Sequence, residues 1–241
     1  MSPPSHVLAD TELAASSLIV CDGNLEQSSV HALLEISHTH GIPFFYEPAD
    51  LSKAVKPLSS PRHSAITYCS PNFNELNSML ATLPGRSAPV SLSPVTLENC
   101  EKAVVEVAEA TRQLISHYDL QVVVVTLSEC GVVLVRKGRP SDPLPSRASL
   151  SGGPGISAVW YPCRDPCPPT QVVSVSGAGD CLTAGFLAGV LRGLDQASAV
   201  SVGLQAAKLS CQVSPAVPES LNTGDIDWAR PAQGIVLFEQ I

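Results

Sequence analysis

The sequence predicts an α/β protein with a mostly parallel central sheet flanked by helices, and three observations predict it. Short β-branched runs alternate with helical patterns along the chain, the order that successive βα units produce. Residues 121–127 (QVVVVTL) are apolar at successive positions, so both faces of that strand are covered, as in the middle of a parallel sheet. Two consecutive helical patterns, over residues 178–193 and 195–213, close the main body.

Taken in order, residues 17–21 (SLIVC) form a buried strand, followed by a helix over 26–40. Further strands are expected at 42–46 and 65–69. Ser70 should then cap a helix with Pro71 at its first position, where the missing N–H costs nothing. A long helix over 97–118 places Val104, Val107, Ala108, Leu114 and Ile115 on one face. After the strand at 121–127, residues 132–136 should return as a hairpin turned through Cys130 and Gly131. Residues 137–170 are rich in Pro, Ser and Gly and lack a period, which predicts a long surface loop around one short strand near Val159. No internal repeat is visible.

With 241 residues, 44% hydrophobic and 15% charged, the chain can bury one ample core. A formal net charge of −8 argues against nucleic acid or an anionic membrane as partner, since phosphate backbones select basic surfaces. It leaves small phosphorylated ligands open, because backbone dipoles and a metal ion can supply local positive potential. Of the eight cysteines, only Cys163 and Cys167 are close in sequence, and no second pair has zinc-ligand spacing. Most are expected to be buried free thiols in a reducing cytosol. Residues 1–9 lack the basic-then-apolar order of a secretory signal, and no apolar run reaches the roughly 20 residues that span a bilayer. The expectation is a soluble, cytoplasmic protein. The six histidines form no constellation and are taken as surface or helix residues.

The most informative segment is 172–185, VVSVSGAGDCLTAG. A β-branched run enters Gly177-Ala178-Gly179, and a helix of small residues leaves it. Glycines at a helix start let the backbone approach a ligand, and the free N–H groups and helix dipole form an anion site. Asp180 in the first turn would repel a resting phosphate, yet it can take a proton from an attacking hydroxyl. An anion hole beside a base is equipment for phosphoryl transfer. The plainer alternative is a tight turn whose aspartate stabilises the helix start. Neither GxxxxGK[ST] nor GxGxxG occurs.

GAGD followed by a small-residue helix resembles the second signature of the PfkB carbohydrate kinases. The resemblance implies that Gly177, Ala178 and Gly179 cradle the transferring phosphate and that Asp180 is the base. Ser70-Pro71-Asn72-Phe73-Asn74-Glu75 resembles the family's PNxxE element. By that likeness Asn72 and Glu75 help indirectly to organise magnesium; helix capping is the alternative. Residues 122–131 (VVVVTLSECG) resemble the strand and turn that contact the nucleotide, implying roles for Thr126, Ser128 and Gly131, with Ser128 standing where the family usually has glycine. Residues 206–218 resemble the helix and loop beside the adenine, which brings in Ala206 and Ala207, or else form an ordinary amphipathic helix. Ser174-Val175 before the turn and Tyr46-Glu47-Pro48 after the second strand resemble the pseudouridine kinase branch. Asp22-Gly23-Asn24 would face the same crevice.

The likeness runs from about Leu18 to Pro218 and implies a three-layer ribokinase-like fold that lacks the amino-terminal lid and first strands. It divides the chain into a flexible segment over 1–17 and a kinase domain over 18–241. The implied ligands are ATP, Mg2+ and a small sugar or nucleoside; a monovalent cation near the glycine turn is left open. The missing strands would leave an exposed apolar sheet edge, open to self-association or to pairing with a full-length paralogue. The alternative to an enzyme is a non-catalytic nucleotide- or partner-binding module.

Overall fold

A computed structural model describes residues 13–84, 92, 94–219 and 224–240. Seven strands form one sheet in sequence order: β1 (Ile19–Asp22), β2 (Phe44–Glu47), β3 (Ile66–Cys69), β4 (Val122–Thr126), β5 (Val132–Lys137), β6 (Ile156–Tyr161) and β7 (Ile235–Gln240). β1 to β4 pair in parallel. From β4 onward the pairings are antiparallel. The parallel half is where helices intervene between strands, and a parallel return requires such a crossover. In the second half the connections through Cys130 and Gly131 and through the 138–155 loop simply reverse the chain.

Alternation along the strands divides the core in two. Phe44, Tyr46, Val123, Val125, Val133 and Val135 bury one face. They meet α1 (Gln27–His40), α2 (Phe73–Leu80) and α3 (Cys100–Tyr118). Phe45, Tyr68, Val122, Val124 and Leu134 bury the other face, against Leu182, Phe186 and Leu187 of α4 (Ala178–Leu191) and Ala199 and Val200 of α5 (Gln196–Cys211). Each large apolar side chain so covered contributes about 1.5–3 kcal/mol. The result is the expected helix–sheet–helix sandwich. The small residues of α4 have a packing role: a Cβ on Gly185 would lie 2.8 Å from the Val202 carbonyl oxygen, so the two helices touch backbone to backbone.

Several details differ from the sequence expectation. Asn72, not Ser70, caps α2, because its side chain reaches the N–H groups of Asn74 and Glu75. α3 starts at Cys100 rather than 97, since the Asn99 side chain ties the preceding turn through Thr96 N–H and Pro94 C=O. β7 was not anticipated; it is an edge strand with Ile235 and Val236 exposed, and so lacks the alternation that marks a half-buried strand. Cys100 and Cys130 pair as a disulfide, while Cys21, Cys69 and Cys181 are the buried free thiols expected. Of the amino-terminal segment, residues 1–12 lie outside the described residues; Arg147 hydrogen-bonds the carbonyls of Ala14 and Ser16 just before β1. Among the described residues β1 pairs only with β2, and its Val20 is 58% exposed. Among the described residues no helix is long and apolar enough to cross a membrane.

Candidate active site

The parallel half of the sheet delivers its carboxyl ends to one cleft. β2 ends at Glu47, β3 leads into Ser70 and Asn72, and β4 ends at Thr126. These residues line the cleft with Ala49, Glu75, Gly177, Gly179, Asp180 and Thr183. Its volume, about 190 Å³, is below the roughly 300–1,000 Å³ of drug-sized pockets. That suits a phosphoryl group and its surroundings better than a whole nucleotide.

The glycine turn opens α4 at the edge of the cleft. Gly177 caps α4 with φ +80°, a left-handed conformation that glycine takes without strain. A Cβ there would meet the Ala216 carbonyl oxygen at 2.0 Å. The first helical bond runs from Cys181 N–H to Gly177 C=O at 2.8 Å, so the Gly179 and Asp180 N–H groups belong to the helix's unsatisfied first turn. Gly179 has no protein atom within 4 Å of where a Cβ would be. Nothing in the packing demands glycine there; the space is open to a ligand. Asp180 is exposed at the same place. Beside the turn, Val173, Val175 and Val217 are apolar and exposed.

Asn72 and Glu75 form a capping box. The Asn72 side-chain oxygen accepts from Asn74 N–H at 2.9 Å and Glu75 N–H at 3.0 Å, and Asn72 N–H donates to Glu75 at 2.8 Å. Asn72→Ala is expected to cost about 1 kcal/mol, a fall of roughly 2–4 °C in Tm for a chain of this size, read by thermal unfolding. Glu75 is buried, and burial raises its pKa above the usual carboxylate range, partly offset by the Asn72 N–H.

Glu47 is the residue that sequence reasoning noticed but gave no site role. Ser70 Oγ and Thr183 Oγ1 both donate to its Oε2, the second at 3.1 Å, and the two hydroxyls lie 3.0 Å apart. Burial pushes the carboxyl up to about 7; the two hydroxyl donors oppose this, and the charges of Glu75 and Asp180 add to it. The available signal was position: Glu47, Ser70 and Thr126 follow parallel strands at the end where ligands bind.

Other expected residues lie elsewhere. Ser128 is exposed in the β4–β5 turn with φ +53°, a conformation that glycine adopts more easily. Gly131 is pressed against the chain at 161–163, where a Cβ would lie 2.2 Å from Tyr161 C=O. Ala206 is buried in the α4–α5 contact beside Gly185, and Ala207 packs on the second core. None of these four lines the cleft. Nor does Asp22, which folds back on Asn24 N–H at 2.9 Å.

For magnesium, the cleft offers the right donor chemistry: oxygen from Glu47, Glu75, Asp180 and Asn72, with no Lys or Arg in the lining. Among the described residues no three acidic or other ligating side chains converge to hold a metal directly. The fit is therefore to an ion that keeps its waters and is held mainly by substrate phosphates, as magnesium commonly is.

The fold is shared with solved ribokinase-like structures. Ribokinase from Cryptococcus neoformans var. grubii serotype A, in complex with ADP, superposes with a TM-score of 0.66 at 18% identity, over 90% of this chain and 61% of that one. A carbohydrate kinase from Agrobacterium tumefaciens gives 0.60 at 20% identity, over 94% and 59%. Residues 160–222, which hold the glycine turn and Asp180, match the pfkB family carbohydrate kinase model. Among individual proteins, the pseudouridine kinase of Arabidopsis thaliana is 25% identical over 259 residues, covering 95% of this chain and 66% of that relative. The chain thus spans about two thirds of that relative and some 60% of these two solved structures.

Proposed function

We propose that the cleft is the phosphoryl-transfer site of an ATP-dependent kinase acting on a hydroxyl of a sugar or nucleoside, with pseudouridine, giving its 5′-phosphate, as the first substrate to test. The observation that carries this reading is the shared cleft of an unsatisfied glycine-turn helix start and the exposed Asp180 carboxylate. The likeness to a pseudouridine kinase supports the substrate class, and that to an ADP-bound ribokinase supports the nucleotide.

In this reading Asp180 takes the proton from the acceptor hydroxyl as its oxygen bonds to the γ-phosphorus. The bond from that phosphorus to the bridging oxygen breaks, and ADP leaves. The first-turn N–H groups of Gly179 and Asp180 hold the transferring group, a positioning and charge-stabilising role that suits phosphoryl transfer. Bound magnesium would neutralise polyphosphate charge, with Asn72 and Glu75 reaching it through water. Exposed Val173, Val175 and Val217 offer the base an apolar surface.

A second reading is favoured by the outer edge of β1, unpaired among the described residues, with exposed Val20: a module that binds nucleotide or a partner without phosphorylating anything. Isothermal titration with a non-hydrolysable ATP analogue and magnesium, then with pseudouridine, separates the two. The kinase reading expects both ligands to bind. Nucleotide binding alone supports the module, and binding of neither removes the cleft as a nucleotide site.

A further inference from the structure

We infer that Cys167 and Cys211 form a thiol-exchange site, where a small-molecule disulfide of the glutathione class oxidises the pair to a disulfide that staples residues 162–173 to the end of α5. Its consequence for nucleotide binding rests on the kinase reading; the bond itself does not.

Of the eight cysteines, Cys100 and Cys130 already hold each other, and Cys21, Cys69 and Cys181 are buried. Cys163, Cys167 and Cys211 are free and half-buried. They gather in one place, because the chain after β6 runs as a strap along the last turn of α5. Three contacts fix its course. Asp165 pairs with Lys208 at 2.8 Å, Gln212 Nε2 donates to Gln171 Oε1 at 3.2 Å, and Val173 N–H donates to Cys211 C=O at 2.8 Å. Cys167 lies on the strap between Asp165 and Gln171, and Cys211 lies on α5 between Lys208 and Gln212. The two therefore share an interval pinned at both ends, and Cys167 is near enough for its charge to oppose ionisation of Cys211. Cys163 is held apart at the end of β6, where a Cβ on Gly131 would lie 2.7 Å from its backbone nitrogen. Cys167 instead sits between the exposed Pro166 and Pro168, within reach of a dissolved reagent.

The thiolate is the attacking form. Burial first, and then the nearby Cys167 and Cys181, push the Cys211 thiol up, so Cys167 attacks and Cys211 resolves. The Cys167 sulfur bonds to one sulfur of the reagent, the reagent's S–S bond breaks, and one reagent thiol leaves with the electron pair. Cys211 then loses its proton to solvent and bonds to the Cys167 sulfur, and the second reagent thiol leaves. Two cysteine thiols give up two protons and two electrons, and one disulfide reagent becomes two thiols.

The strap leads straight into the glycine turn. Val173 and Ser174 N–H groups both donate to Cys211 C=O, and the segment after α5 sets Ala216 against Gly177. A bond between Cys167 and Cys211 makes the entry to the turn and the wall behind it one piece. It also encloses all of α4 in a covalent loop, which restricts the unfolded chain more than the folded one. The oxidised chain should melt about 5–10 °C higher. It should bind an ATP analogue with magnesium about threefold more tightly, because less ordering is left to the ligand.

The test is peptide mapping after incubation with glutathione disulfide at about pH 8, near the ordinary thiol value, with the remaining thiols alkylated. A linked Cys167–Cys211 peptide is expected, with Cys163 alkylated and no glutathione retained. Cys211→Ser should keep glutathione on Cys167, since the resolving thiol is gone, and Cys167→Ser should show no gain in Tm on oxidation. Linkage of Cys163 to either partner, glutathione left on Cys167 in the parent, or no reaction at all overturns the proposal. Calorimetry on both forms reads the coupling: equal nucleotide affinity in the reduced and linked chains overturns the connection to the turn. A linked, stabilised chain that binds no nucleotide in either redox state upholds the staple and removes the kinase reading instead.

Discussion

With Asp180 as the base of the proposed kinase reaction, Asp180→Asn should lower turnover by about 10²–10⁴-fold, the range that a positioned general base contributes. The substitution keeps the shape of the side chain and removes only its capacity to take a proton. Asp180 stands in the first turn of α4, exposed to the cleft, so the change leaves both cores untouched and Tm should move little. Nucleotide affinity should hold or improve, because the lost carboxylate sits beside the proposed phosphate position. That split, with turnover lost and binding kept, separates a base from a residue that merely stabilises a helix start. Steady-state turnover with pseudouridine and ATP, together with calorimetric affinity for the analogue, measures both. Near-parental turnover in the variant would remove Asp180 as the base.

The elements most legible in the sequence were those whose signal is local. The apolar run at 121–127 became β4, covered on both faces, and the expected face of the 97–118 helix is buried at each of its five named residues. The glycine turn was equally readable as structure, because Gly177 takes the left-handed cap that opens α4. What stayed hidden depends on contacts distant in sequence. Glu47 meets Thr183 across 136 residues, and no spacing rule connects a glutamate after one strand with a threonine inside a helix. β7 pairs with β6 across more than 70 residues of sequence and leaves two of its large side chains in solvent. Asn72 shows competition between neighbours: Ser70 is a good capping residue, yet its hydroxyl is held by Glu47 while Asn72 and Glu75 satisfy each other.

Gly177→Ala and Gly179→Ala are expected to fail in different ways, although the two glycines are separated by one residue. At Gly177 the backbone has φ +80°, where a side chain is strained by about 1–3 kcal/mol, and the added methyl would fall 2.0 Å from the Ala216 carbonyl oxygen. Relief requires the turn to move away from residues 216–217 or to abandon its left-handed cap, and either displaces the N–H groups of the proposed phosphate site. Gly177→Ala should therefore lower Tm by several degrees and weaken nucleotide binding together. Gly179 is already helical and has no protein atom within 4 Å of the new methyl. Alanine is also the better helix former, by about 1 kcal/mol in a helix interior. Gly179→Ala should fold as well as the parent or better, while its methyl occupies the open space at the cleft and lowers nucleotide affinity. Thermal unfolding and calorimetry on the two variants form the check. Unchanged affinity in a fully folded Gly179→Ala would mean that the open space beside Asp180 is not where the phosphate lies.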